Sequence, residues 1–365
     1  MEFYLPTRLL TGESIVRQSA GLLAAFGKRC LIVTSGSAAR RCGALDDVCA
    51  ALRENDTAYW IYDAVRPNPS IASVLEGGRL AAENHCDFVV GIGGGSPLDA
   101  AKVIAVSAAN PELDEKGLYS MNWPRDPLPV VLVGTTAGTG SEMTPVAVIT
   151  AGDGRKRSFR GEKIYAALSL GDPRYTESMP LPVTASTGVD ALAHCLESYF
   201  SKKATEVSRA FAVQGVCTLL EPLRTVAAGD MPSKEQRRAL YEGSLLGGMA
   251  ISVTGTIFPH NLGYYLTEKH RIPHGFACAA FHPALLEHAR KSAPAYSEEL
   301  YKRIGCTCED LTDLIRRLTP PADIHLSPDE VEALLPRWEN ASAIKNTVGE
   351  LSLPQVRDIL TEVLV

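Results

Sequence analysis

The chain has 365 residues, 45% of them hydrophobic and 21% charged, which is ample core-forming material and a length that favours two domains over one. A formal charge of −6, from 36 basic against 42 acidic residues, argues against a dedicated nucleic-acid binder, and no uninterrupted apolar run reaches the ~20 residues of a membrane span. The start "MEFYLPTRLLTG" lacks the basic-then-apolar layout of a secretory leader, and nine scattered cysteines with no CxxC pair read as reduced thiols of a cytoplasmic protein.

In chain order, "CLIVT" (30–34) reads as a strand followed by the helix-like "ALDDVCAALREN". "TAYWIYD" (57–63) precedes the helical "SIASVLEGGRLAAENH", and "CDFVVGI" (86–92) precedes "SPLDAAKVIAVSAAN". "LPVVLVGT" (128–135) follows as another strand. This alternation predicts a mostly parallel sheet covered by helices. After "SMPLPVTAS" (178–186) the texture changes. "GVDALAHCLESYFS", "EVSRAFAVQGVCTLLEPLRTVA" and "KEQRRALYEGSLLGGMAIS" carry apolar residues at helical spacing, and strand-like runs become scarce. The fold class expected is therefore α/β over residues 1–178 followed by an all-helical domain over residues 179–365.

The stretch "GIGGGSPLDAAK" (91–102) sits between a strand and a helix. Gly93, Gly94 and Gly95 carry no side chain to hold a ligand away, Ser96 is a good N-cap, and Pro97 suits a first helical turn. Asp99, three residues after Ser96, nearly completes a capping box. A bare turn leading into a helix N-terminus with free amides is a phosphate site. It is neither the GxGxxG fingerprint nor a P-loop, because Lys102 is misplaced for one. A second loop, "TTAGTGSEMTP" (135–145), follows the next strand, where loops line ligand crevices in open α/β sheets. "DGRKRSFRGEK" (153–163) concentrates Arg155, Lys156, Arg157, Arg160 and Lys163, and is read either as a solvated turn or as a grip for an anionic group.

Eight histidines are present. Asp190 and His194 of "GVDALAH" are four apart and share a helix face. "FPHNLGYYLTEKHRIPHG" adds His260, His270 and His274. One carboxylate with two or three imidazoles suits a divalent transition metal. His85, His288 and His325 read as ordinary structural or surface histidines.

Taken together, "GGGSPLDAAK", "TTAGTGSE", "GVDALAHCLESY" and "IPHGFACAAFHP" resemble, in order and spacing, the signature regions of the iron-containing alcohol dehydrogenase family. The resemblance covers essentially the whole chain. It implies a Rossmann-like N-terminal dinucleotide-binding domain, a C-terminal helical domain holding one divalent metal, and a small alcohol or aldehyde as substrate. The implied ligands are Asp190, His194, His260 and His274, with iron as the usual metal and zinc compatible with the same donors. Many relatives carry another histidine where this chain has Tyr264. Tyr264 and His270 thus become the candidates for the proton relay, with His270 replacing the missing ring if its loop folds inward.

By the same resemblance, Gly93, Gly94, Gly95 and Ser96 receive the cofactor pyrophosphate, Asp99 and Lys102 support the turn on the cofactor side, and Thr135, Thr136 and Thr139 face its sugar and base. NAD-preferring relatives often place a carboxylate after the first strand. Ser35, Gly36 and Ser37 stand there instead, with Arg40 and Arg41 nearby, which favours NADP over NAD. The function implied is a metal-dependent, NAD(P)-linked alcohol dehydrogenase or aldehyde reductase in a homo-oligomer such as a dimer. The alternatives are a reductase of an anionic aldehyde (phosphonate or carboxylate), a maleylacetate reductase or a glycerol dehydrogenase.

Overall fold

Two strands of the N-terminal half are apolar at every position, as central strands of a parallel sheet covered on both faces must be. The computed structural model describes residues 3–321 and 324–365 and divides the chain into two compact units, Tyr4–Met179 and Pro180–Val365.

In the first unit the strands are β1 (Arg8–Thr11), β2 (Arg29–Val33), β3 (Ala58–Tyr62), β4 (Phe88–Gly93), β5 (Val130–Gly134), β6 (Val146–Thr150), β7 (Lys156–Arg160) and β8 (Leu168–Gly171). Six of them form one parallel sheet in the order β1-β8-β5-β4-β2-β3, while β6 and β7 make a separate antiparallel hairpin. Side chains alternate between two cores. Leu31, Val33, Val89 and Leu132 pack with helices α2 (Ile71–Glu83) and α3 (Gly95–Ala109), while Cys30, Ile32, Val90 and Val133 pack with α1 (Ala44–Glu54) on the other face. Helices on both faces of a parallel sheet make the α/β half of the expected fold class.

The chain runs from β2 outward to β3, then returns to place β4 on the opposite side of β2. The order therefore reverses between β2 and β4, and the crevice at their carboxyl ends is where open α/β sheets bind ligands. The segments that leave there are Ser35–Ser37 after β2, and Gly94 with the first turn of α3 after β4.

The second unit is helical, as expected. Its helices include α4 (Leu181–Tyr199), α5 (Glu206–Ala227), α6 (Lys234–Thr254), α7 (Phe258–His270), the short α8 (His274–Ala279) and α9 (His282–Ser292). Complete capping boxes start α5 (Thr205 with Ser208) and α6 (Ser233 with Gln236), which fixes both starts locally. α4, α5 and α6 pack on one another, and α8 packs between α4 and α7. No helix among the described residues is long and apolar enough to cross a membrane.

Candidate active site

The phosphate-site expectation for α3 needs one correction. The helix starts at Gly95 and not after Ser96, its N-cap is the extended Gly94, and no side chain caps it. Ser96 lies inside the first turn, where its hydroxyl accepts from the Asn68 amide at 3.3 Å. Asp99 makes no capping box with it. One Asp99 oxygen accepts from the Ser141 hydroxyl at 2.6 Å and the other from the Val148 amide at 2.8 Å. Each oxygen thus accepts one hydrogen bond from the protein, and Asp99 supports the second loop and β6.

Lys102 does the same work from deeper in the core. Its side chain is fully buried, and Nζ donates to Ser141 O (2.7 Å), Ser141 Oγ (2.8 Å), Val146 O (2.8 Å) and Thr144 O (3.0 Å). Burial lowers its pKa to about 8, still above neutrality, so an ammonium organises the 141–146 backbone.

The two glycine-bearing loops abut. Gly93 has φ +148°, closed to side-chain-bearing residues, and its carbonyl accepts from the Thr135 amide at 2.9 Å. A methyl group on Gly94 would lie 3.0 Å from Thr136 Oγ1, and one on Gly95 2.7 Å from Thr139 Cγ2. The structure thus brings Gly93, Gly94, Gly95, Ser96, Thr135, Thr136 and Thr139 together around the N-terminus of α3, which leaves its first amides without intrahelical partners. Across the reversal point, Thr34 at the end of β2 donates to the Ile92 carbonyl at 3.0 Å, tying the Ser35–Ser37 segment to the same crevice. Gly36 has φ +50°, and the Ser37 hydroxyl accepts from Arg41.

In the helical unit, Asp190 and His194 do lie one turn apart on α4, and α7 and α8 bring His260 and His274 against them. Asp190 Oδ1 stands 3.4 Å from His260 Nε2, 3.9 Å from His194 Nε2 and 4.0 Å from His274 Nε2. The rings of His194 and His260 stack at 4.7 Å, and those of His260 and His274 meet edge-on at 5.2 Å. The close approach of α8 to α4 depends on Gly275. A methyl group there would sit 1.8 Å from the Ser186 carbonyl oxygen and 3.0 Å from Asp190 Cβ.

These residues fit a metal. Asp190 Oδ1 and His260 Nε2 are buried and have no hydrogen-bond partner, a costly state for a carboxylate and an imidazole unless something else is to be bound. Donors about 2.1 Å from one ion stand about 3.4 Å apart in a tetrahedral set, close to the shortest spacing above. Burial works to raise the Asp190 pKa. The facing His194, His260 and His274 outweigh it and hold the carboxyl well below the usual range, in its ligating form.

Three residues of this site escaped the sequence reading. Glu197, fully buried, accepts from His260 Nδ1 at 2.5 Å and from the Ile257 amide at 2.7 Å, so it orients the His260 ring and caps α7 together. Burial pushes against its ionisation, yet His260 and His282 pull its pKa down to about 2. His282 Nε2 lies 3.2 Å from the same Glu197 oxygen, and its Nδ1 is 3.0 Å from the Cys278 carbonyl. Cys278 itself belongs, with Asp190, His260 and His274, to a set of donor atoms all within 4.8 Å of one another. The sequence signal was available: Glu197 is seven residues after Asp190 and Cys278 four after His274, each on the same helix face as its ligand. Because outer carboxylates fix ligand histidines, Glu197→Gln is expected to weaken metal affinity by about 10–100-fold, read by competition against a chelator. Unchanged affinity would remove Glu197 from this role.

The relay expectation for His270 is corrected. Ten residues beyond His260 on a continuous helix, it is rotated by about 80° off the ligand face. It is exposed at the end of α7, with its ring against Tyr265 at 5.4 Å. Tyr264 does reach the site: its ring stacks on His274 at 5.7 Å and 13°. Burial pushes its phenol pKa well above the ordinary value.

The basic stretch forms the turn after β6, strand β7 and the segment that follows it. Arg157 pairs with Asp153 at 2.6 Å and lies over the Tyr119 ring, and Lys163 pairs with Asp126 at 2.7 Å. Arg157 and Lys163 are therefore already matched by neighbouring carboxylates, and no observation favours an anionic aldehyde.

The family model described as iron-containing alcohol dehydrogenase matches residues 6–173, and the model of the C-terminal part of the same family matches residues 184–320. The chain belongs to the iron-containing alcohol dehydrogenase family. It is 31% identical over 328 residues to alcohol dehydrogenase 4 of Schizosaccharomyces pombe, covering 87% of this chain and 76% of that one. To 1,3-propanediol dehydrogenase of Citrobacter freundii it is 33% identical over 310 residues, covering 82% and 78%. The crystal structure of an iron-containing alcohol dehydrogenase matches it with a TM-score of 0.92 at 35% identity, covering 100% of this chain and 98% of that one. Membership makes this alcohol dehydrogenase an oxidoreductase acting on CH–OH groups.

Proposed function

We propose that this chain interconverts a small neutral aldehyde and its alcohol with a nicotinamide cofactor, NADP in preference to NAD, and that Asp190, His194, His260 and His274 hold one divalent ion, iron or zinc. The observation that carries the reading is the buried pair Asp190 Oδ1 and His260 Nε2, unpartnered and faced by two further imidazoles. A divalent ion held there supplies Lewis acidity to a substrate oxygen, while the cofactor supplies or takes up the hydride.

The chain's own residues do the rest. With an ion bound in place of their protons, three imidazoles beside ionised Asp190 would make a donor set with a single negative charge. Glu197 holds His260 with Nδ1 protonated and Nε2 turned toward Asp190. The His274 side chain is 31% exposed, against 4% for Asp190 and 2% for His260, so the His274–Tyr264 stack marks the side from which substrate enters. Tyr264 stays protonated at working pH and so serves as a hydrogen-bond donor to an oxygen that gains negative charge, not as a base.

For the cofactor, the first amides of α3 take the pyrophosphate, Thr135, Thr136 and Thr139 line its sugar and base, and Ser35–Ser37 face the adenosine ribose. No carboxylate stands in that segment to repel a 2′-phosphate, and Arg41 lies within reach of Ser37. The test is anaerobic oxidation of NADPH and NADH, with short neutral aldehydes, by metal-stripped protein before and after adding ferrous iron. Iron-dependent turnover with NADPH ahead of NADH is expected. No turnover with either cofactor would reject the reading. Gly36→Asp restores a carboxylate at a positive-φ position that aspartate tolerates, and is expected to raise the KM for NADPH by about tenfold or more while sparing NADH. An unchanged ratio would place the 2′-phosphate elsewhere.

A further inference from the structure

We infer that Cys278 is a further metal donor, its thiolate joining Asp190, His260 and His274 at the same ion and biasing the site toward zinc and cobalt over iron. This rests on the metal-site reading above and adds to it a sulfur that the resemblance does not include.

Cys278 lies one turn after His274 on α8, so both side chains point the same way. Its sulfur is 3.6 Å from His274 Nδ1 and 3.9 Å from His274 Nε2, and lies within 4.8 Å of the donor atoms of Asp190 and His260. A buried cysteine used only as an apolar filler sits among apolar side chains. This one faces a carboxylate and two imidazoles. The independent sign that the cage is built for a ligand comes from its other members. Asp190 and His260 are 3% and 2% exposed, and the atoms they aim inward have no hydrogen-bond partner. α7 packs directly on the backbone that carries the sulfur: a methyl group on Gly263 would come within 2.8 Å of Cys278 Cα.

On metal binding the S–H proton passes to solvent as the sulfur–metal bond forms, with no change in oxidation state. Thiolate is a soft donor and raises affinity for zinc more than for iron(II). It also brings a second negative charge to the donor set, so the bound centre becomes neutral overall.

Cobalt(II) separates the two levels of the reading. Visible d–d bands report an ion held in a low-symmetry site whether or not sulfur takes part, and a near-ultraviolet sulfur-to-cobalt charge-transfer band reports thiolate. Metal-stripped protein loaded anaerobically with one equivalent of cobalt(II) is expected to show both. C278S is expected to keep the visible bands and lose the near-ultraviolet one, and C278A is carried in parallel in case one variant misfolds. H260A is expected to lose both. Visible bands without charge transfer in the unmodified protein overturn the thiolate and leave the metal site standing. A charge-transfer band that survives in C278S or C278A belongs to another cysteine and overturns it equally. Absence of both bands in the unmodified protein overturns the metal site, and the thiolate with it.

Discussion

Asp190→Asn is expected to strip the protein of its metal and to lower kcat/KM by about 10³-fold or more, since Lewis-acid stabilisation is worth several kcal/mol and about 1.4 kcal/mol is one decade. The substitution is nearly isosteric, so lost packing does not explain such a loss. What changes is charge: the oxygen approached by three imidazoles becomes part of a neutral amide. His260→Ala should lose metal and activity to the same degree. It should also cost stability, because Glu197 would remain buried and ionised with its principal partner gone. His270→Ala is the matched control: an exposed ring against Tyr265 should leave metal content and turnover unchanged. Metal analysis of purified variants, with circular dichroism to confirm folding, decides the matter. Full metal occupancy in folded Asp190→Asn would show that the ion is held elsewhere.

The second large effect is expected at Lys102. Replacing it with Met removes a cation around which Ser141, Thr144 and Val146 converge, and leaves their oxygens and Asp99 without it. Breaking a buried charged pair by removing one partner costs about 3–5 kcal/mol. The loss should appear as a lower urea midpoint and also as weaker NADPH binding, because the residues that Lys102 pins continue the loop holding Thr135, Thr136 and Thr139. A change within about 0.5 kcal/mol, the range of ordinary surface substitutions, would mean that the loop is held by other contacts.

How much of this was legible in the sequence differs by element. β4 and β5 announced themselves as unbroken apolar runs, because central parallel strands are buried on both faces. β1 did not: Arg8–Thr11 is four residues long, partly exposed, and pairs with β8 alone. The start of α3 was misplaced because capping preference is local, whereas Asp99 is claimed by Ser141 and Val148 more than forty residues away. Asp190, His260 and His274 stand close together with Cys278, and His194 faces Asp190 from one turn along α4. The spacing put Glu197 on the Asp190 face of α4, but the sequence gives no distance between α4 and α7, so its contact with His260 across sixty-three residues was hidden. For His270, the expectation needed its loop to fold inward, whereas His270 is the last residue of α7, exposed, with Arg271 in the left-handed conformation after it.

The most direct test of the central claim is anomalous diffraction at the iron edge from crystals of the iron-loaded protein. A single peak about 2.0–2.2 Å from both Asp190 Oδ1 and His260 Nε2, with the His194 and His274 rings turned toward it, is the predicted result. A peak away from Asp190 Oδ1, or no peak in protein that turns over aldehyde, would contradict it.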